Sequence, residues 1–89
     1  MPQWELKIEG RVQGVGFRYL AKELAYRLGI RGYVQNLPDG CVRIIADADE
    51  NTISNYCKLL RLGNGFSRVD KIMTEPIDHP REYYDFEIR

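Results

Sequence analysis

The residues with the clearest chemical potential stand together in Gly10-Arg11-Val12-Gln13-Gly14-Val15-Gly16-Phe17-Arg18. Three glycines and two arginines share these nine positions. An alternating segment, Trp4-Glu5-Leu6-Lys7-Ile8-Glu9, precedes them and reads as a strand, and a 3.6-residue pattern follows and reads as a helix. A glycine-rich turn between strand and helix exposes main-chain N–H groups at the positive end of the helix dipole. That is an anion cradle, and phosphate is the first anion to consider. Arg18 falls near the first helical turn and could close on a phosphate with a two-pronged, charge-assisted grip. The local pattern alone fits equally well a tight strand-to-helix connection with a solvent-facing arginine.

Other chemistries have less support. His79 lies beside Pro80 in a loop, where it reads as a surface histidine, and no serine–histidine–acid arrangement can be placed. Asp47, Asp49 and Glu50 stand at a helix entrance, where negative charge already suits the dipole. No cluster has the character of a metal site. Cys41 and Cys57 lack metal-ligand spacing and read as reduced, buried thiols. The loop has neither the lysine and hydroxyl of a P-loop nor a dinucleotide fingerprint. What remains is an arginine, a ring of backbone donors and a carboxamide, a set that can bind and polarise a phosphoryl group without metal or cofactor. It would serve best where the leaving group is already good.

Thirteen basic and thirteen acidic side chains cancel, so phosphate binding has to be local and no global charge draws nucleic acid or an anionic membrane. No apolar run approaches the ~20 residues that span a bilayer, and the N-terminal stretch has charges and alternation where a signal peptide would be apolar. The expectation is a single cytoplasmic domain over residues 1–89, with no membrane or nucleic-acid partner and nothing that requires more than a monomer.

The elements that must position these groups follow from periodicity. The first strand, about residues 4–10, places Trp4, Leu6 and Ile8 on one face and Glu5, Lys7 and Glu9 on the other. Phe17, Leu20, Ala21, Leu24, Ala25 and Leu28 make a continuous apolar stripe, so a helix over 17–28 is expected, stopped by Gly29. A second strand spans about 31–37, with Gly32 marking a bulge or a close backbone approach. Leu37-Pro38-Asp39-Gly40 reads as a type I turn and makes a hairpin with a strand at about 41–47. A second helix begins at Asp49 as N-cap, carries Ile53, Tyr56, Cys57 and Leu60 on one stripe, and ends at Gly63. In the short link that follows, Phe66 is expected to plug the core. A fourth strand, about 67–75, holds Val69 and Ile72 out of strict alternation, which predicts a bulge or an irregular edge. After a loop over 76–81, Tyr84, Phe86 and Ile88 are expected to offer one face of a last short strand. The order predicts an α+β, ferredoxin-like βαββαβ sandwich: an antiparallel or mixed sheet, two helices on one face and a short extra C-terminal strand. In that topology the second strand returns toward the start of the first helix, so Asn36 can approach the cradle.

Two stretches together resemble the acylphosphatase family. GRVQGVGFR at 10–18 looks like its first signature and GYVQNLPDGCV at 32–42 like its second; the C-terminal Phe86-Glu87-Ile88-Arg89 is also similar to the family's ending. The resemblance covers nearly the whole chain. It implies cofactor-free hydrolysis of carboxyl-phosphate anhydrides to a carboxylate and inorganic phosphate, with acetyl phosphate, carbamoyl phosphate and 1,3-bisphosphoglycerate as typical substrates. By the same resemblance Arg18 matches the phosphate-binding catalytic arginine and Asn36 the asparagine that positions the attacking water. The loop Gln13, Gly14, Val15, Gly16, Phe17 and Arg18 matches the phosphate cradle. Gln13 either lines this loop or is a solvent-facing amide, and Tyr33 reads as sheet packing. Two departures stand out: Ala48 where many relatives have glycine, and Gly63-Asn64-Gly65-Phe66 in place of a proline-containing link. Both are expected to lie outside the cradle. The competing readings are an anion sensor of the same fold that turns nothing over, which the Arg18–Asn36 pair argues against, and a base-stacking sheet, for which RNP-like aromatic–basic strands are lacking.

Overall fold

The computed structural model describes residues 2–89. Its elements are β1 (Gln3–Arg11), α1 (Phe17–Leu28), β2 (Arg31–Asn36), β3 (Val42–Asp47), α2 (Glu50–Leu62), β4 (Arg68–Pro76) and β5 (Phe86–Ile88). They build one five-stranded sheet in the order β4-β1-β3-β2-β5. All neighbours are antiparallel except β2 and β5, which run parallel. This is the mixed-sheet, ferredoxin-like α+β sandwich that the element order implies.

The sheet buries one face because its apolar residues keep a strict two-residue period there. Leu6 and Ile8 of β1, Val34 of β2, and Val42, Ile44 and Ala46 of β3 meet the two helical stripes, Phe17-Ala21-Leu24-Ala25 and Ile53-Tyr56-Cys57-Leu60. Both helices therefore cover the same face. The Tyr56 hydroxyl donates to the Ala21 carbonyl at 2.7 Å inside this core and ties α2 to α1. Helix ends follow their chemistry. Asp49 accepts the Thr52 N–H at 2.8 Å to open α2. Gly29, left-handed, closes α1 with paired bonds from Gly29 and Ile30 to the Tyr26 and Ala25 carbonyls.

Gly32 is the close approach that its position in β2 foreshadows: a Cβ there would lie 1.8 Å from the Ile45 carbonyl oxygen. In β4 the register passes from Glu9↔Lys71 to Gly10↔Val69 and leaves Asp70 as the extra, bulged residue. That bulge explains how Val69 and Ile72, an odd number of residues apart, both pack against the core.

Two apolar expectations fail. Phe66 is 73% exposed; the region between α2 and β4 is already filled by Leu59, Leu60, Val69 and Ile72. Of Tyr84, Phe86 and Ile88 only Phe86 enters the core, because pairing with β2 begins at Phe86 and holds just three residues at the sheet edge. Since β4 and β5 lie at opposite edges, residues 77–85 must cross the sheet, and they do so on the side away from the helices. Arg81 exchanges hydrogen bonds with the Gln3 side chain, Tyr83 meets Tyr33 edge-on, and Asp85 accepts the Gly32 N–H.

Candidate functional site

The loop after β1 turns on two glycines. Gly14 (φ +73°) and Gly16 (φ +78°) occupy the left-handed region, where a side chain would be strained. Gly16 is also the N-cap of α1, and no side chain caps the helix there. The loop N–H groups from Gly14 to Phe17 donate to no protein acceptor among the described residues. Such a run of N–H groups in alternating backbone conformations forms a concave, positively polarised nest, here at a helix N-terminus. Val12 and Phe17, each 1% exposed, root both ends of it in the core.

Arg18 sits in the first turn of α1, and its guanidinium Nη1 donates to the main-chain oxygen of Arg89 at 3.0 Å. Arg89 is itself held by its N–H on the Val34 carbonyl at 2.8 Å and by its guanidinium 4.1 Å above the Tyr33 ring. The residue that follows the parallel strand β5 thus supplies an acceptor for Arg18. Tyr33 packs on the sheet face, as its alternation predicts.

Asn36 ends β2 with the parity of Val34, so its side chain emerges on the helix side of the sheet. Its Oδ1 is buried and has no hydrogen-bond partner among the described residues. Asn36, Arg18, Gly14 and Gly16 line one cleft of about 200 Å³, with Tyr19 and the half-exposed Ile88 at its sides. That is smaller than the ~300–1,000 Å³ of a drug-sized ligand site. Of the residues singled out from sequence, Gly14, Gly16, Phe17, Arg18 and Asn36 line this one space.

Gln13 does neither of the two things expected of it. Its Nε2 donates to the Leu37 and Cys41 carbonyls at 2.8 and 2.9 Å, so it braces the loop against the mouth of the β2–β3 hairpin that carries Asn36. Val15 points away from the cleft and packs against the core. The link 63–66 lies outside the cleft lining, as expected, yet it touches the cradle loop. The Asn64 Nδ2 donates to the Val15 carbonyl at 2.9 Å and stands 3.5 Å from where a Gly16 Cβ would be. Only the Asn64-Gly65 pair, a turn signal, hints at this from sequence. Its contact is 49 residues distant in the chain.

Around the hairpin, Lys7 pairs with Asp39 at 3.0 Å. The Cys41 N–H, and then the Lys7 ammonium, hold the Asp39 carboxyl down at about 2. Burial pushes both the Cys41 and Cys57 thiols up, and both cysteines are free. His79 lies exposed in the crossing segment, away from the cleft-lining residues. Among the described residues no three His, Cys, Asp or Glu side chains group as a metal site. None of the described helices is long and apolar enough to cross a membrane.

Comparison with known proteins places the whole chain in one family. The acylphosphatase family model matches residues 4–88. The chain is 40% identical over 83 residues to an acylphosphatase of Caldanaerobacter subterraneus subsp. tengcongensis, covering 93% of this chain and 92% of that protein. It is 42% identical over 81 residues to an acylphosphatase of Treponema denticola, covering 91% and 85% respectively. The crystal structure of acylphosphatase from Bacillus subtilis superposes with a TM-score of 0.92 at 34% identity, over 100% of this chain and 99% of that one.

Proposed function

Since the chain belongs to the acylphosphatase family, we propose that Arg18 and the 13–18 loop hold the phosphoryl group of a small acyl phosphate while Asn36 positions the water that attacks it. The phosphoryl oxygens sit in the nest of loop N–H groups and against the Arg18 guanidinium. Water, accepted by the Asn36 Oδ1, attacks phosphorus on the side opposite the acyl oxygen. The P–O bond to the acyl group breaks, and its electron pair leaves with the carboxylate. Charge spread over the equatorial oxygens is met by donors already in place, so little reorganisation is needed. A carboxamide is no base, but it can hold a water in line. No general acid is required, because a carboxylate departs without protonation, and the protons of the attacking water stay on the phosphate product or pass to solvent. The reaction so drawn needs neither metal nor cofactor.

The observation that carries this reading is Asn36 itself: it lines one cleft with Arg18 and the cradle glycines, and its buried Oδ1 has no donor among the described residues. A buried polar atom left so costs on the order of 1–3 kcal/mol; a site retains that cost where a water or substrate supplies the missing bond. The test is release of inorganic phosphate from acetyl phosphate in excess EDTA. Arg18→Ala is expected to lose roughly 10³-fold or more in turnover, and Asn36→Ala roughly 10²-fold, with unchanged far-UV spectra. Turnover that survives both substitutions would place the chemistry elsewhere.

A further inference from the structure

We propose that Asn64 is a positioning residue for the phosphate cradle, holding the Val15–Gly16 peptide so that the Gly16 N–H faces the cleft. The inference rests on that cradle being the phosphate site of the reaction drawn above. A peptide unit is planar and trans, so its C=O and the following N–H point in opposite directions. Asn64 does not line the cleft; it grips the Val15 carbonyl from outside, with Nδ2 to oxygen at 2.9 Å. The N–H at the other end of the same unit, that of Gly16, is thereby directed away from Asn64 and toward the cleft that Gly16 lines. Left-handed glycines on both sides of Val15 leave this peptide free to rotate, and nothing else among the described residues holds its carbonyl. A rotation by half a turn would aim the carbonyl oxygen at the phosphate and replace attraction with repulsion.

The grip is itself braced. The Asn64 Oδ1 accepts the N–H groups of Phe66 and Ser67 at 2.9 and 3.0 Å, which fixes the carboxamide plane and orients the Nδ2 donor. The α2–β4 link thus clamps the β1–α1 loop, although the two are far apart in sequence. Asn64 needs both ends of its amide. Aspartate preserves the acceptor but sets a carboxylate oxygen against the Val15 carbonyl; alanine removes both ends and adds no charge.

The experiment compares wild type, Asn64→Asp and Asn64→Ala by three readouts: the inhibition constant of inorganic phosphate, the KM and kcat for acetyl phosphate, and the response of the Gly16 amide resonance to added phosphate. Both variants are expected to weaken phosphate roughly tenfold and to lower kcat/KM by at least as much. Each should shrink the phosphate-dependent movement of the Gly16 resonance while Arg18 and Asn36 remain intact. If both lose only thermal stability and bind phosphate as wild type does, Asn64 is a structural tie and the proposal is overturned. If Asn64→Asp alone is impaired, the cause is its charge, and the proposal again fails. Should wild type turn over no acyl phosphate, the reading of the reaction fails, but phosphate binding and the Gly16 resonance still decide the role of Asn64.

Discussion

Asp39 shows how a single side chain outside the cleft lining can still shape the hairpin beside it. Its Oδ1 accepts the Cys41 N–H at 3.0 Å and its other oxygen pairs with Lys7. Those contacts close the hairpin whose mouth Gln13 braces and whose first strand ends at Asn36. With its carboxyl lowered to about 2 from an ordinary 3.8, the charged form belongs to the folded state. The stability it contributes is complete above the unfolded value and is lost as pH falls through about 2. An NMR titration should place the Asp39 carboxyl midpoint near 2, and Asp39→Asn should remove this component of acid sensitivity between roughly pH 4 and pH 2. A midpoint close to 3.8 would mean that the turn does not hold its carboxylate in solution. Asn36 and Arg18 were legible at this scale, because two signature stretches carry them. Asn64 was not: an asparagine in a glycine link looks like any turn residue until its distant partner is known.

Between elements, the decisive contacts join helices to each other and loops to the strands beside them. Tyr56 is fully buried and spends its hydroxyl on the Ala21 carbonyl. Tyr56→Phe removes one hydrogen bond while keeping the ring, and should cost about 1 kcal/mol in a urea unfolding series, leaving acyl phosphate turnover unchanged. A loss of turnover without a shift in midpoint would instead link the α1–α2 pairing to the cradle. The helices themselves were readable to the residue: stripes at i, i+3, i+4 and i+7, an Asp cap and glycine stops agree with α1 and α2 as found. Strand ends were less so. Tyr84 reads as part of an alternating run, yet pairing with β2 begins only at Phe86, and the tyrosine is 81% exposed. Alternation reports which faces a strand could bury, whereas pairing depends on a neighbour elsewhere in the chain.

At the scale of the molecule, the segment 77–85 carries the chain across the sheet and delivers β5 to the edge beside β2. There Phe86 enters the core and Arg89 presents its oxygen to Arg18. Fold and site are coupled through this edge. Phe86→Ala should destabilise the protein by about 3 kcal/mol. At temperatures where the variant is still folded, it should also lower turnover, because β5 no longer holds the Arg89 oxygen in place. A variant that is destabilised but has wild-type turnover would show that Arg18 is oriented without β5.

What the amino-acid sequence determined by itself was everything governed by local period and local chemistry. That includes the order of elements, the two helices, the hairpin turn, the glycine cradle and the family that its two signatures resemble. Only the tertiary structure decided what those groups do to one another. It made Gln13 a brace, turned Phe66 outward, left the Asn36 Oδ1 without a partner among the described residues and brought Asn64 to Val15. The reason is physical. A hydrogen bond across 49 residues leaves no periodic trace, because both of its ends sit in irregular loops. A strand or helix face repeats at fixed spacing, and repetition is what a sequence can show.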